Sequence, residues 1–507
     1  MIAIDHSRVE DGRAQRADRH LSADVVVIGT GAGGAVAAAT LAEGGANVLM
    51  IEEGGYFTGR DFRGDPMEGF NTLYRSGGLT ATVGNVVIAL PMGKCVGGTT
   101  TINSGTCYRT PDWVLDEWRT LHGVEAMSAA DMADDFAEVE RALGVKPVPE
   151  GNLNEGARRF AAGAKLLGYD GAPIPRNEHG CRATGVCAFG CPRDAKAATS
   201  VSYVPRALAA GARLATWCKV DRILTDRGRA VGVVARYTDE KGHETGASLR
   251  VVANAVFVAA GAVHTPRLIA RSKVGANAKH LGHHLRTHPA ARVAAVFPDE
   301  IRGWEGVPQS YNVHFTNEGF FVQGQFTPPG VEASMLPFTG ARHRDLMDHF
   351  DKMTSFGALL SDTSEGRVIG AGSGDPLLWY WMNAHDVRTM SRAISITSQI
   401  FIAAGAREVY PCVRKSPVVR SMEEAKEIAN LKIKANDIDM MAFHPMGTAR
   451  MGGDPTRSVT DAWGAVHGVP GLYVADAALM PGSTKLNPQI TIMALARRVA
   501  RKYLARV

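Results

Sequence analysis

Three groups of residues have types and spacings suited to chemistry. Gly29, Gly31 and Gly34 form G-x-G-x-x-G. In such a hexamer the first glycine allows a tight turn, the second lets backbone approach a pyrophosphate, and the third lets a helix pack on a strand. Glu52 lies eighteen residues after Gly34, where a carboxylate accepts from a ribose 2′-hydroxyl and disfavours a 2′-phosphate. That points to a dinucleotide and argues against NADP. Cys181, Cys187 and Cys191 form C-x5-C-x3-C inside GCRATGVCAFGCPRDAK. Three close thiolates suit an iron–sulfur cluster, [3Fe-4S] in particular, better than zinc, which usually takes four ligands. Cys218 is the candidate for a fourth thiol. Buried free thiols and a zinc or vestigial site are the alternatives. His444 sits in FHPMGTARMG. A neutral imidazole there could take a hydroxyl proton near neutral pH, although a lone His is more often a buried structural residue.

Regular elements must hold these groups in place. Residues 24–28 (DVVVI) are a continuous apolar, β-branched run, the pattern of a buried parallel strand. The fingerprint follows directly. Residues 35–44 are Ala-rich and helix-favouring, and residues 47–51 (NVLMI) are a second buried strand ending at Glu52. This is a βαβ unit. Residues 249–260 read as strand feeding a tight turn at Gly261. Between about 289 and 389 aromatics rise, and runs such as YNVHF, GFFVQGQF and WYWMN predict an antiparallel sheet layer. Residues 390–404 are again helical. The expected fold is α/β, a Rossmann-like dinucleotide domain plus a substrate domain with an antiparallel sheet covered by helices. Motifs lie at both ends of the chain, so the cofactor domain is expected to be discontinuous, over 20–110, 195–290 and 440–507. The substrate domain takes 111–194, with the Cys loop, and 291–439.

Composition narrows the remaining classes. The chain has 507 residues and a net charge of +5, from 56 basic and 51 acidic side chains that are interleaved. Nucleic acid and membrane surfaces are therefore not expected partners. No apolar window is long enough for a transmembrane helix. The polar start, MIAIDHSRVEDGRAQRADRH, lacks the apolar core of a secretory signal, so a cytoplasmic location is expected, with export only alongside a signal-bearing partner. Seven Cys, an odd number, argue against a disulfide framework. Glycine numbers 56, above the roughly 7% usual in soluble domains, which suggests many close backbone approaches.

Four further segments decide between NAD and FAD. Residues 91–108 read PMGKCVGGTTTINSGTCY, 261–268 read GAVHTPRL, 443–452 read FHPMGTARMG, and 472–495 read LYVADAALMPGSTKLNPQITIMAL. Together and in this order they resemble the glucose–methanol–choline (GMC) oxidoreductases, FAD-dependent alcohol oxidases and dehydrogenases. The likeness covers about half of the chain and is faint over 110–180 and 290–440, where this family sets substrate specificity. The resemblance implies that Gly29, Gly31, Gly34 and Glu52 hold the ADP half of FAD. Gly97, Gly98, Thr99 and Asn103 line the pyrophosphate and flavin, Val220 the adenine, and Asp476 the ribityl chain. His444 and Asn487 match the family's catalytic pair. Asn487 and Pro488 also read as N-cap and first residue of a final helix, whose positive end would face the cofactor. Some members tether FAD through a His that here is Ile102, so non-covalent FAD is expected.

The Cys spacing resembles the catalytic subunit of bacterial FAD-dependent glucose and sugar dehydrogenases, GMC members with a [3Fe-4S] cluster. That resemblance implies a small partner subunit and single-electron transfer to a cytochrome or quinone. The expected activity is oxidation of an alcohol or sugar CH–OH group by hydride transfer to FAD. The alternatives are an alcohol oxidase that uses O₂ without a cluster, and a non-catalytic flavoprotein subunit for electron transfer. Phe320, Phe321, Trp379, Tyr380 and Trp381 are candidates for a substrate pocket, though aromatic strand residues are more often core.

Overall fold

The structure is a computed structural model that describes residues 4–275, 277, 279–370 and 374–506. The β-branched run at 24–28 is the buried end of a longer strand, Arg19–Ile28. It pairs in parallel with Val48–Ile51 on one side and with Glu244–Val258 on the other. Arg213–Thr216 extends the sheet beyond Val48–Ile51, and Leu472–Val474 joins alongside Glu244–Val258, both in parallel. Cys218–Asp226 and Arg229–Thr238 complete it as an antiparallel pair. The carboxyl ends of the parallel strands, at Ile28, Ile51, Val258 and Val474, therefore share one edge. Ligands of open α/β sheets bind at that edge.

The helix Ala32–Glu43 joins the first two parallel strands, and alanine covers its buried faces. Small side chains let it lie against the final helix, Gln489–Leu504. Gly44 ends it, and a Cβ there would come within 2.4 Å of Leu504.

The second sheet is antiparallel at its centre. Ala290–Val296 pairs with Met353–Leu360, which pairs with Phe320–Gln325, which pairs with Tyr311–Phe315. Alternation along these strands sends Val293, Phe320, Val322, Phe356 and Ala358 into a core beneath the helices Glu155–Leu166 and Ala384–Ala403. The rings of Phe160 and Phe356 stack there, 3.7 Å between centroids. The opposite face, carrying Arg292, Gln323, Gln325 and Ser355, turns toward the first domain's edge and lines a cavity with it. This is the mixed α/β fold expected, with a sheet-rich second part.

Two expectations need correction. The run WYWMN does not join this sheet. Leu377–Tyr380 pairs with Gly366–Ile369 and, in parallel, with Thr82–Gly84 in a small sheet of its own. A strand's composition does not specify its neighbours. The helix expected at 390–404 begins earlier, at Ala384, because Asn383 caps it by accepting from Asp386 N at 2.9 Å. Among the described residues no helix is long and apolar enough to cross a membrane.

Candidate active site

One cavity of about 1170 Å³ runs from the carboxyl edge of the parallel strands to the polar face of the second sheet. Drug-sized ligand sites are typically 300–1,000 Å³, so this space holds more than one small molecule. The fingerprint forms one end of it. Gly29 turns the chain at φ +94°. A Cβ on Gly31 would meet nothing closer than 4.0 Å, whereas one on Gly34 would lie 2.1 Å from the Gly29 carbonyl oxygen. The second glycine is open to a ligand and the third is closed by packing, as the spacing predicts. Gly33, which carries no weight in the fingerprint, is the most crowded: its Cβ would sit 1.8 Å from the Ala475 carbonyl oxygen. Its partner lies more than four hundred residues away in sequence, so no local signal marks it.

Across from this turn lies a second glycine loop, with Gly97 at φ +94° and Gly98 at φ +51°. Gly98 lines the cavity together with Thr99 and Asn103, while Gly97 stands behind, its N–H donating to Thr30 Oγ1 at 3.2 Å. Glu52 is buried. One of its oxygens accepts from Thr30 N and Thr30 Oγ1 at 3.0 and 2.7 Å, the other from Gly54 N at 3.1 Å. A carboxylate has about four acceptor sites, so one remains for a ribose hydroxyl. Burial pushes the Glu52 pKa up against these hydrogen bonds. Asp476 accepts from Gly261 N, Thr265 Oγ1 and Ala478 N at 2.8, 2.5 and 2.7 Å, tying its own turn to the start of the helix Gly261–Ser272, and burial raises it to about 6. Val220 and Ile102 also line the cavity. The open glycine and the spare carboxylate acceptor fit a dinucleotide.

His444 and Asn487 meet at the other end, both on the cavity wall. Asn487 Nδ2 lies 3.4 Å from His444 Nε2, and His444 Nδ1 and Asn487 Oδ1 have no protein partner. Desolvation lowers the His444 pKa to about 4, so the ring is neutral at neutral pH and can accept a proton. Asn487 does not cap the final helix. That helix begins at Gln489 with Pro488 at its N-cap and no side-chain cap bond, which leaves the Asn487 amide to His444. Pro488 and Gln489 line the cavity, so the helix's positive end does face it. His288 escaped the sequence reading. Its ring stands perpendicular to that of His444, 5.5 Å between centroids, and its Nε2 lies 2.5 Å from Ser483 Oγ. It is fully enclosed, and burial with the neighbouring His444 keeps it uncharged. Nothing in its spacing relates it to His444.

Cys181, Cys187 and Cys191 do converge, around a separate cavity of about 10 Å³ shared with Arg176 and Lys196. That is scarcely room for one water. Arg176 Nη2 lies 3.4 Å from Cys187 Sγ, and the Lys196 ammonium donates to the carbonyls of Thr101 and Cys187 at 2.8 and 2.9 Å. Among the described residues no group of three or more Cys, His, Asp or Glu is placed to hold a metal ion. The iron–sulfur cluster therefore finds no support here, because the loop closes on buried cations rather than on a ligand set. Cys218 is not a fourth member, since it lies on a strand beside the dinucleotide cavity. The aromatic candidates are placed elsewhere. Phe320, Phe321 and Tyr380 are core, and Trp379 and Trp381 stack on each other toward solvent.

Models of the GMC oxidoreductase family match residues 70–290 and 363–496, and a model of an FAD binding domain matches residues 24–83. An uncharacterised GMC-type oxidoreductase of Mycobacterium tuberculosis (strain ATCC 25618 / H37Rv) is 39% identical over 96% of this chain and 76% of its own length. The chain is a GMC oxidoreductase. Long-chain-alcohol oxidase FAO4B of Arabidopsis thaliana is 27% identical over 94% of this chain and 67% of its own. The fold matches the crystal structure of pyridoxine 4-oxidase from Mesorbium loti with a TM-score of 0.72, at 18% identity over 95% and 99% of the two chains. Within this GMC oxidoreductase the family motifs are the segments that meet at the cavity, and the FAD-domain match covers the glycine cradle and Glu52.

Proposed function

We propose that this GMC oxidoreductase oxidises an alcohol carbon to a carbonyl, with FAD held without a covalent bond. The observation that carries the reading is the His444–Asn487 pair, whose Nε2 and Nδ2 meet 3.4 Å apart on the wall of the same cavity as the dinucleotide cradle. When bound, FAD supplies a two-electron acceptor for hydride. The alcohol oxygen sits between the two side chains, donating its proton toward His444 Nε2 and accepting from Asn487 Nδ2. The O–H proton passes to His444 while the carbon gives up its hydrogen as hydride, for which bound FAD would be the acceptor, and C=O forms. His444 is a weak base in this setting, so it takes the proton only as hydride departure acidifies the alcohol. The resulting imidazolium, poorly solvated, readily gives the proton up. Ile102 offers no nucleophile for tethering the flavin on the wall where it stands.

Similarity to an enzyme named as an alcohol oxidase supports O₂ as acceptor, with hydrogen peroxide as the reduced product. A second reading keeps the iron–sulfur relay, small subunit and cytochrome or quinone. Its motive is the convergence of three thiols on one small cavity, which among the described residues offers no metal-ligand set. Anaerobic mixing of the flavin-loaded protein with an alcohol panel tests the core claim, and bleaching of the flavin is the expected result. Oxygen uptake with equimolar peroxide then supports the oxidase reading. Iron and acid-labile sulfide in protein purified without air would replace it with the second.

A further inference from the structure

On the second sheet's side the cavity wall sets a few polar side chains among apolar ones such as Phe326, Val331 and Met335. Across the second sheet, Arg292, Gly357 and Gln323 are direct neighbours in register, and Ala294, Ser355 and Gln325 form the next row. Gln323 is 4% exposed, lines the cavity, and its side-chain oxygen has no hydrogen-bond partner in the protein. A buried amide oxygen left unpaired is destabilising, so its position on the wall calls for a ligand group. Gln309 and Gln325 line the same space, and Gln309 is held by the Thr106 hydroxyl at 2.9 Å. The charges at this end cancel. Arg292 is ion-paired with Glu332, both are buried, and Thr327 Oγ1 donates to Glu332 at 2.7 Å.

We propose that Gln323 is a specificity-determining residue that binds a second hydroxyl of a neutral, polyhydroxylated substrate of the sugar or polyol class. A hydroxyl both donates and accepts, so it satisfies the amide whichever way the amide faces. The Arg292–Glu332 pair leaves no net charge to attract a carboxylate. An apolar chain in this space would leave the Gln323 amide oxygen without a partner. The inference rests on the alcohol-oxidation reading above.

The test compares three six-carbon probes, a hexitol, an aldohexose and hexan-1-ol, by anaerobic flavin bleaching of the flavin-loaded enzyme. The expected order has the hexitol or the aldohexose at least about 10²-fold faster per mole than hexan-1-ol, since a site built for a hydroxyl rejects analogues that lack it. Q323L, close in volume and without the amide, should lower the polyol rate constant at least about tenfold while hexan-1-ol changes little and FAD content stays at one per chain. If hexan-1-ol bleaches the wild type as fast as the polyols, the substrate class is overturned, even should Q323L fail to fold. A Q323L enzyme that folds and keeps the full polyol preference removes Gln323 from recognition. Bleaching by none of the probes, nor by any alcohol of a wider panel, would instead sink the alcohol-oxidation reading beneath it.

Discussion

The two ends of the cavity are built from different material. At the cofactor end the wall is backbone: Gly29, Gly31 and Gly98 bring main chain to the ligand, and Glu52 and Asp476 each accept from two other backbone N–H groups. At the substrate end the wall is side chain, with Gln323, Gln325, Ser355 and Arg292 raised from the face of a sheet. A backbone wall tolerates little change because any added Cβ alters the space itself. A side-chain wall can be rewritten residue by residue without moving the sheet, which is how one scaffold serves many alcohols.

The largest effect that sharpens this contrast is expected at Gly31. Its backbone is ordinary, φ −66°, and a side chain would point into open cavity. Gly31→Val should therefore fold normally yet lose FAD altogether, seen as a colourless protein with an unchanged far-ultraviolet circular dichroism spectrum. Retention of one FAD per chain would show that this wall is not the cofactor's.

Next comes His444→Ala, which should slow flavin reduction roughly 10²–10⁴-fold, the range for loss of a general base, with FAD content intact. Stopped-flow reduction within about threefold of wild type would exclude the base role. Asn487→Ala should cost less, on the order of 10–10²-fold, through misplacement of the alcohol. Equal losses for the two variants would mean that they act as one unit.

The smallest effect concerns pH. His444 works as the neutral ring, and desolvation holds its pKa near 4. A lowered pKa keeps the base form dominant at every pH above that value. Flavin reduction should thus be flat between about pH 6 and 8 and fall about tenfold per unit only below pH 4. An inflection near 6.5, the ordinary histidine value, would contradict the burial argument.

Legibility followed the same division. Glycine spacing encodes backbone conformation directly, so the cradle, Glu52 and the first βαβ unit could be read along the chain. The roles of Gly97, Asp476, His444 and Asn487 needed the family resemblance, because their partners come from distant segments. Alternation along 320–325 predicts a face for Gln323 but not what lies opposite it. His288 and Gly33 depend on neighbours supplied by the fold, Ser483 and Ala475, that no local pattern announces. The Cys spacing was legible as a cluster of thiols, and its closing on Arg176 and Lys196 was not, since Arg176 and Glu178 reach that cavity from outside the Cys run.

The contact between Gly33 and Ala475 has a bearing on how the enzyme is made. Residues 28–34 are made more than four hundred residues before the wall they need, which arrives with the strand Leu472–Val474, and Asp476 then locks to Gly261. Until that strand is synthesised, the newborn chain has half a binding site. A chain truncated before residue 472 should therefore retain Gly29, Gly31, Glu52 and Gly98 yet fail to keep FAD, for want of the segment that closes the site.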